Sequence, residues 1–118
     1  MGDISANFNR NEFECRCGCG FNTVDVELIK VLEDIRMNYD VPITINSGCR
    51  CDTYNKKIGG ATHSQHKLGR AADIVLSGIS PLEVAKYLRE AYRGSYGVGE
   101  YNSFTHIDTR DAEARWKY

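Results

Sequence analysis

From Thr23 onward apolar residues first recur at helical spacing, and Leu28, Val31, Leu32 and Ile35 line one side of the chain. Asp25 and Glu27 fall in the first turn, where the helix dipole favours anions, and Thr23 is placed to cap it. The helix must stop before Pro42, because the residue preceding a proline avoids the α region. The period then switches to two in Ile43-Thr-Ile-Asn-Ser47, a β-branched strand pattern. Asp52 to Ile58 reads as a short helix closed by Gly59-Gly60, and Ala72 to Leu76 as a second strand. Ser80-Pro81-Leu82-Glu83 combines a capping box with proline at the first helical position. Leu82, Ala85, Leu88 and Tyr92 would form the buried face of the helix it starts. Gly94, Gly97 and Gly99 loosen the connection to Val98–Tyr101, and Thr105–Thr109 makes a final strand. Residues 1–22 show no sustained periodicity and are expected to wrap the surface as an irregular, cysteine-rich segment. The last eight residues are polar apart from Trp116 and Tyr118, which are expected to pack back on the body. The pattern predicts one α+β domain over residues 1–118, a small, mostly antiparallel sheet with helices packed on it.

Composition narrows the partners. With 118 residues the chain can bury a single core but not two. A formal net charge of −1, with no basic cluster and no interleaved aromatics, excludes a general nucleic-acid binder. No apolar run approaches membrane-spanning length, and the opening residues lack the charged-then-apolar layout of a secretory signal. A soluble monomer, made in the cytoplasm, is expected.

Five cysteines cluster as Cys15, Cys17 and Cys19 in one segment and Cys49 and Cys51 in another. The odd total argues against complete disulfide pairing. Three readings stand. Four thiolates could hold a structural zinc with one thiol left over, although Cys-x-Cys spacing is less common than Cys-x-x-Cys. One or two disulfides could tie the N-terminal segment to the loop at Cys49. Buried free thiols could act as small hydrophobes.

The chemistry concentrates in Ser64-Gln-His-Lys-Leu-Gly-Arg-Ala-Ala-Asp73 and in His106. His66, Asp73 and His106 supply two imidazoles and one carboxylate, the donor set of a hydrolytic zinc site with room for water. A lone histidine or aspartate is ordinarily a core, surface or turn residue; the joint pattern is what points to a metal. Strand parity puts His106 and Asp108 on one face while Ile107 points the other way, and sets Asp73 opposite the core-facing Ile74. Two neighbouring strands can therefore present Asp73 and His106 to one cleft, with His66 supplied by the preceding loop.

Residues 42–110 resemble the zinc D-Ala-D-Ala carboxypeptidase family, whose fold is shared by vancomycin-resistance D-Ala-D-Ala dipeptidases and the hedgehog signalling domain. The resemblance rests on Ser64, His66, Gly69, Ala71 and Asp73 in S-x-H-x-x-G-x-A-x-D, on Gly97-Val-Gly99 followed by His106-Ile-Asp108, and on Ser47-Gly48-Cys49-Arg50. It implies a hedgehog-type fold with one catalytic Zn2+ on His66, Asp73 and His106, and leaves a second, structural Zn2+ on the cysteines open. It implies hydrolysis of D-amino-acid-containing peptide bonds in the stem peptides of bacterial peptidoglycan, by a D,D-carboxypeptidase or endopeptidase. Arg50 would meet a substrate carboxylate or the oxyanion. Ser64 and Gln65 would line the cleft and orient ligands, whereas His63 falls outside the motif and is expected to be exposed. The chain also resembles the short subgroup of phage and prophage lysis or tail cassettes, which implies an endolysin acting on the cell wall after release. It departs from several relatives at Ser103, where they carry the proton-accepting acid three residues before the last histidine. Two substitutes are available: Glu100, at a spacing similar to the hedgehog-type glutamate, and Asp108, which could instead fix an imidazole or an arginine.

Other classes fit less well. A non-haem iron oxygenase uses the same ligand types, but no further histidine lies downstream of His106-Ile-Asp108 and the pattern lacks a large β-barrel. A cysteine nucleophile is disfavoured by the glycine-flanked alternating array. The main alternative is a non-catalytic, zinc-containing cell-wall-binding or phage tail module, which the missing acid at position 103 would permit.

Overall fold

The computed structural model describes residues 2–117. Helix α1 spans Val26–Tyr39, α2 spans Asp52–Lys57 and α3 spans Pro81–Ala91. Strands β1 (Ile43–Ser47), β2 (Ala71–Leu76), β3 (Gly97–Glu100), β4 (Thr105–Asp108) and β5 (Ala114–Lys117) form one sheet in the order β1-β2-β4-β3-β5. The fold is α+β. Three strand pairings are antiparallel, as the sequence suggested, but β5 runs parallel to β3 and makes the sheet mixed. Among the described residues no helix is long and apolar enough to cross a membrane.

Alternation along the strands separates two faces. Ile45, Ala72, Ile74, Leu76, Val98 and Ile107 join Leu28, Val31, Leu32 and Ile35 of α1 and Val84, Ala85 and Leu88 of α3 in one buried cluster. The opposite face carries Asp73, His106 and Asp108, placed side by side by the registers Asp73↔His106 and Ala71↔Asp108. An irregularity between Ile45 and Ser47 sets Ser47, rather than Asn46, opposite Asp73. The extra residue re-aims the end of β1 toward that face.

Several local expectations need correction. The cap of α1 is Asp25, two residues beyond Thr23, and its carboxylate accepts from Thr109 Oγ1 at 3.2 Å instead of from its own helix. The buried side of α3 turns on Val84 rather than Leu82, which is 56% exposed. Leu82 sits in the first turn, ahead of the point where α3 meets the sheet, and Tyr92 is only half-buried at the rim. The N-terminal segment does not merely wrap the surface. Phe8 and Phe13 are buried in the core, their rings 6.0 Å apart, with Phe13 in a 3-10 turn over Arg10–Phe13. Arg16 of the same segment donates to Ile45 O at 2.7 Å, covering part of the edge of β1. Trp116 does pack back, as a member of β5; Tyr118 lies outside the described residues.

Candidate metal centre

His66 reaches the polar face from a 3-10 turn, Gln65–Leu68, that the motif builds for itself. Ser64 Oγ accepts from His66 N at 3.2 Å to start the turn, and Gly69 ends it at φ +69°. A side chain at Gly69 would also meet Thr23 O at 2.5 Å, so glycine is required there on two counts. Asp73 comes from the middle of β2 and His106 from β4, directly opposite. All three are buried, and their donor atoms lie within 4.8 Å of one another.

Hydrogen bonds fix which atom each imidazole offers. His66 Nδ1 lies 2.6 Å from Gly48 O, which can only accept, so Nδ1 carries the proton and Nε2 keeps its lone pair. That Nε2 stands 3.3 Å from Asp73 Oδ1. His106 Nε2 lies 2.8 Å from Asp108 Oδ2, leaving Nδ1 aimed at the same Asp73 Oδ1 at 2.9 Å. Three atoms with lone pairs thus converge, an arrangement that repels itself unless a cation or a proton sits among them. A tetrahedral zinc with bonds of about 2.0–2.1 Å separates its nitrogen and oxygen ligands by roughly 3.3 Å, close to the spacings found. The donor set fits zinc, and among the described residues it offers three ligands, which leaves one vertex for solvent or substrate.

Without the ion the charges lean on one another. Burial opposes ionisation of Asp73, yet hydrogen bonds from His106 and His66 outweigh it and hold its carboxyl well below the usual range. Burial likewise disfavours a charged His106, but Asp108 and Asp73 overcome it and raise its pKa.

The two candidate bases land in different places, and neither faces the open vertex. Glu100 is paired with Thr105 in register, one position out of phase with Gly99↔His106, so its side chain leaves the sheet on the helix-covered side. There it meets Arg89 of α3 at 3.4 Å and Lys117 at 3.7 Å. The six-residue spacing to His106 is an even number, but the chain turns between β3 and β4, so strand parity does not carry across it. Asp108 is on the correct face but fully committed. Oδ1 accepts from Gly97 N at 3.0 Å and Arg110 Nε at 2.8 Å, and Oδ2 accepts from Arg110 Nη2 at 2.7 Å besides His106. Burial opposes its charge, but hydrogen bonds from His106 and Arg110 prevail and keep the carboxyl far below its ordinary pKa. Asp108 orients His106. It is a poor proton acceptor.

Arg50 lies beside the donors, its Nη2 3.4 Å from Asp73 Oδ2, with Ser47 Oγ at 3.2 Å and Asn55 Oδ1 at 3.3 Å holding the guanidinium. Gly60 permits this, since a Cβ there would stand 2.1 Å from Asn55 Oδ1. The site opens into a cleft of about 710 Å³. Ser64 and Gln65 line it, and Gln65 Oε1 is buried with no hydrogen-bond partner. Exposed His63 lines it as well. The far wall was not anticipated from sequence. Trp116 lies 5.1 Å from the His106 ring and donates to Tyr101 Oη at 2.9 Å, while Phe104 stacks on Tyr101 at 4.3 Å. Gly99 makes room for it, because a Cβ would fall 2.4 Å from Trp116 Nε1. The aromatic among polar residues near the C-terminus, together with the glycine-x-glycine of β3, was the available signal.

The fold and site define a class: an α+β domain whose sheet holds a two-histidine, one-carboxylate donor set that could bind a metal ion at the floor of a cleft. The family model described as Peptidase M15 matches residues 6–108, and the chain belongs to that family. A 35-residue stretch, 30% of the chain, is 51% identical to the zinc D-Ala-D-Ala carboxypeptidase of Streptomyces albus G. That stretch spans 14% of the relative's own length.

Proposed function

We propose that this protein is a zinc-dependent peptidase that hydrolyses D-amino-acid-containing peptide bonds of peptidoglycan stem peptides, as a D,D-carboxypeptidase or endopeptidase. The carrying observation is the convergence of His66 Nε2, Asp73 Oδ1 and His106 Nδ1, each imidazole fixed by a buried acceptor, at an open cleft. Zinc bound there supplies Lewis acidity to the scissile carbonyl and lowers the pKa of a water to roughly 7. Family membership and the partial likeness to a D-Ala-D-Ala carboxypeptidase support this substrate class.

The chain's own residues do the rest. Arg50 presents N–H donors that can take a terminal carboxylate or the developing oxyanion. Gln65 lines the cleft beside Ser64 and would orient the bound peptide. Trp116, Tyr101 and Phe104 give small apolar side chains such as that of D-Ala a surface to rest on. Among the described cleft-lining residues outside the donor set, His63 is the remaining imidazole and would be the group to take a proton from that water.

Purified protein loaded with zinc and incubated with muropeptides tests the reading by mass spectrometry. Release of D-Ala or of cross-link fragments, abolished by His66→Ala, is expected. Tight binding with no product would replace the enzyme with a binding module.

A further inference from the structure

The cysteines form a second cluster away from the cleft, and its metrics choose among the three readings left open by sequence. All five cysteines are free. Cys15 Sγ lies 3.5 Å from Cys17 Sγ and 3.8 Å from Cys51 Sγ, and Cys17 Sγ lies 3.7 Å from Cys51 Sγ. Cys19 Sγ joins them, all four sulfurs falling within 4.8 Å of one another. A disulfide requires about 2.05 Å. A tetrahedral zinc with Zn–S bonds of about 2.3 Å places its sulfurs roughly 3.8 Å apart. The separations among Cys15, Cys17 and Cys51 are those of a tetrathiolate cage, and Cys19 stands close enough to complete it.

The fifth thiol is set aside by its surroundings. Cys49 Sγ lies 3.1 Å from Phe13 O and 3.0 Å from Phe21 O, two acceptors that share its single S–H, the posture of a protonated thiol. Backbone donors approach the clustered sulfurs instead: Cys51 N lies 3.5 Å from Cys15 Sγ, and Tyr54 N lies 3.4 Å from Cys51 Sγ. Such N–H groups stabilise thiolate charge. Gly18 and Gly20, at φ +83° and +87°, curl the segment so that three alternating cysteines meet one point.

We propose that Cys15, Cys17, Cys19 and Cys51 bind a second zinc ion in a closed, structural site. Four soft thiolates select zinc over hard cations, and four protein ligands leave no vertex for chemistry. Binding releases the thiol protons to solvent. The ion ties the N-terminal segment to the loop after β1, the loop that carries both Arg50 and the Gly48 carbonyl holding His66. It thereby steadies one side of the cleft from outside.

The test needs no peptidase activity, so it stands or falls apart from the hydrolase reading. The double variant His66→Ala/His106→Ala, purified under reducing conditions and reconstituted with excess zinc, should retain one zinc per chain where the unmutated protein holds two. X-ray absorption at the zinc edge of that variant should show a sulfur-only shell. Cobalt in its place should give strong sulfur-to-metal charge-transfer absorption. Adding Cys51→Ser should remove the zinc or weaken the absorption, whereas Cys49→Ser should leave both unchanged. Should Cys51→Ser fail to fold, the stoichiometry, sulfur shell and Cys49→Ser arm still decide. No zinc in the double variant, iron in its place, or a mass lower by two hydrogens from a disulfide among these cysteines would overturn the proposal.

Discussion

The two faces of the sheet are built from the same strands yet do opposite things. On β2 and β4, Ala72, Ile74 and Ile107 go into the helix-covered core, and their immediate neighbours Asp73, His106 and Asp108 go into the cleft. The apolar face gains stability from burying surface without direction, so its residues can trade volume and shape within limits. The polar face is a chain of directed contacts, Arg110 to Asp108 to His106 to Asp73, in which each polar atom is fixed by named partners. Rigidity on the first face is what keeps distances constant on the second. A one-residue slip of register would exchange the two sets and destroy both.

The largest expected effects separate the faces cleanly. Asp73→Ala or His106→Ala should lower peptidase activity on the order of 10³-fold or more, by loss of the metal that activates water and carbonyl, while the fold survives. Ile74→Ala or Ile107→Ala should do the reverse, costing about 2–5 kcal/mol of stability with zinc still bound in the folded fraction. Denaturant melts alongside zinc stoichiometry and kcat/KM check both. If the alanine at Ile107 emptied the metal site in fully folded protein, the division between faces would be wrong. On the cleft side, His63→Ala should reduce kcat by about 10²–10⁴-fold with KM little changed, as loss of a proton-transfer group does.

This division was largely legible in the sequence, because period-two alternation marks sheet faces and the three candidate metal donors, which the structure brings together, fall on recognisable motif positions. What escaped it depended on partners far along the chain. Leu82 and Val84 are equally apolar, and only the angle at which α3 meets the sheet decides which is covered. Phe8 and Phe13 lie in a stretch without period, so nothing local announces that they are core. Trp116 belongs to the cleft because β5 pairs in parallel with β3, a long-range choice that no local pattern encodes. Both candidate bases failed on geometry rather than chemistry. The acids were found, but whether a carboxylate is free depends on arginines that fold beside it.

An intermediate effect probes how the polar face is held together. Asp108→Asn should weaken zinc affinity by about 10–100-fold, since the amide cannot balance both His106 and Arg110 as the carboxylate does. Gly97→Ala should act in the same direction from the neighbouring strand. Its new Cβ would stand 2.3 Å from Asp108 Oδ2 and 2.6 Å from Oδ1, so the carboxylate must move off Gly97 N and drag His106 with it. Competition with a zinc chelator measures both. An unchanged affinity in Asp108→Asn would mean that His106 needs no buried acceptor to stay in place.

The smallest effect is the sharpest test of the face assignment. Glu100 has the spacing of a catalytic acid but points at α3, where its carboxylate bridges Arg89, 36% exposed, and Lys117, 73% exposed. Glu100 is itself buried, but both partners are open to water and sit at 3.4 and 3.7 Å, so the pairs contribute on the order of 1 kcal/mol, and glutamine can still accept from Arg89. Glu100→Gln should therefore keep kcat/KM within about two-fold, with a small loss of thermal stability that fades as salt is raised. A fall of 10²-fold or more would put the Glu100 carboxylate in the cleft, which requires β3 to be shifted by one residue against β4. That shift would turn Val98 out of the core and Gly99 into it, and the core could not then close.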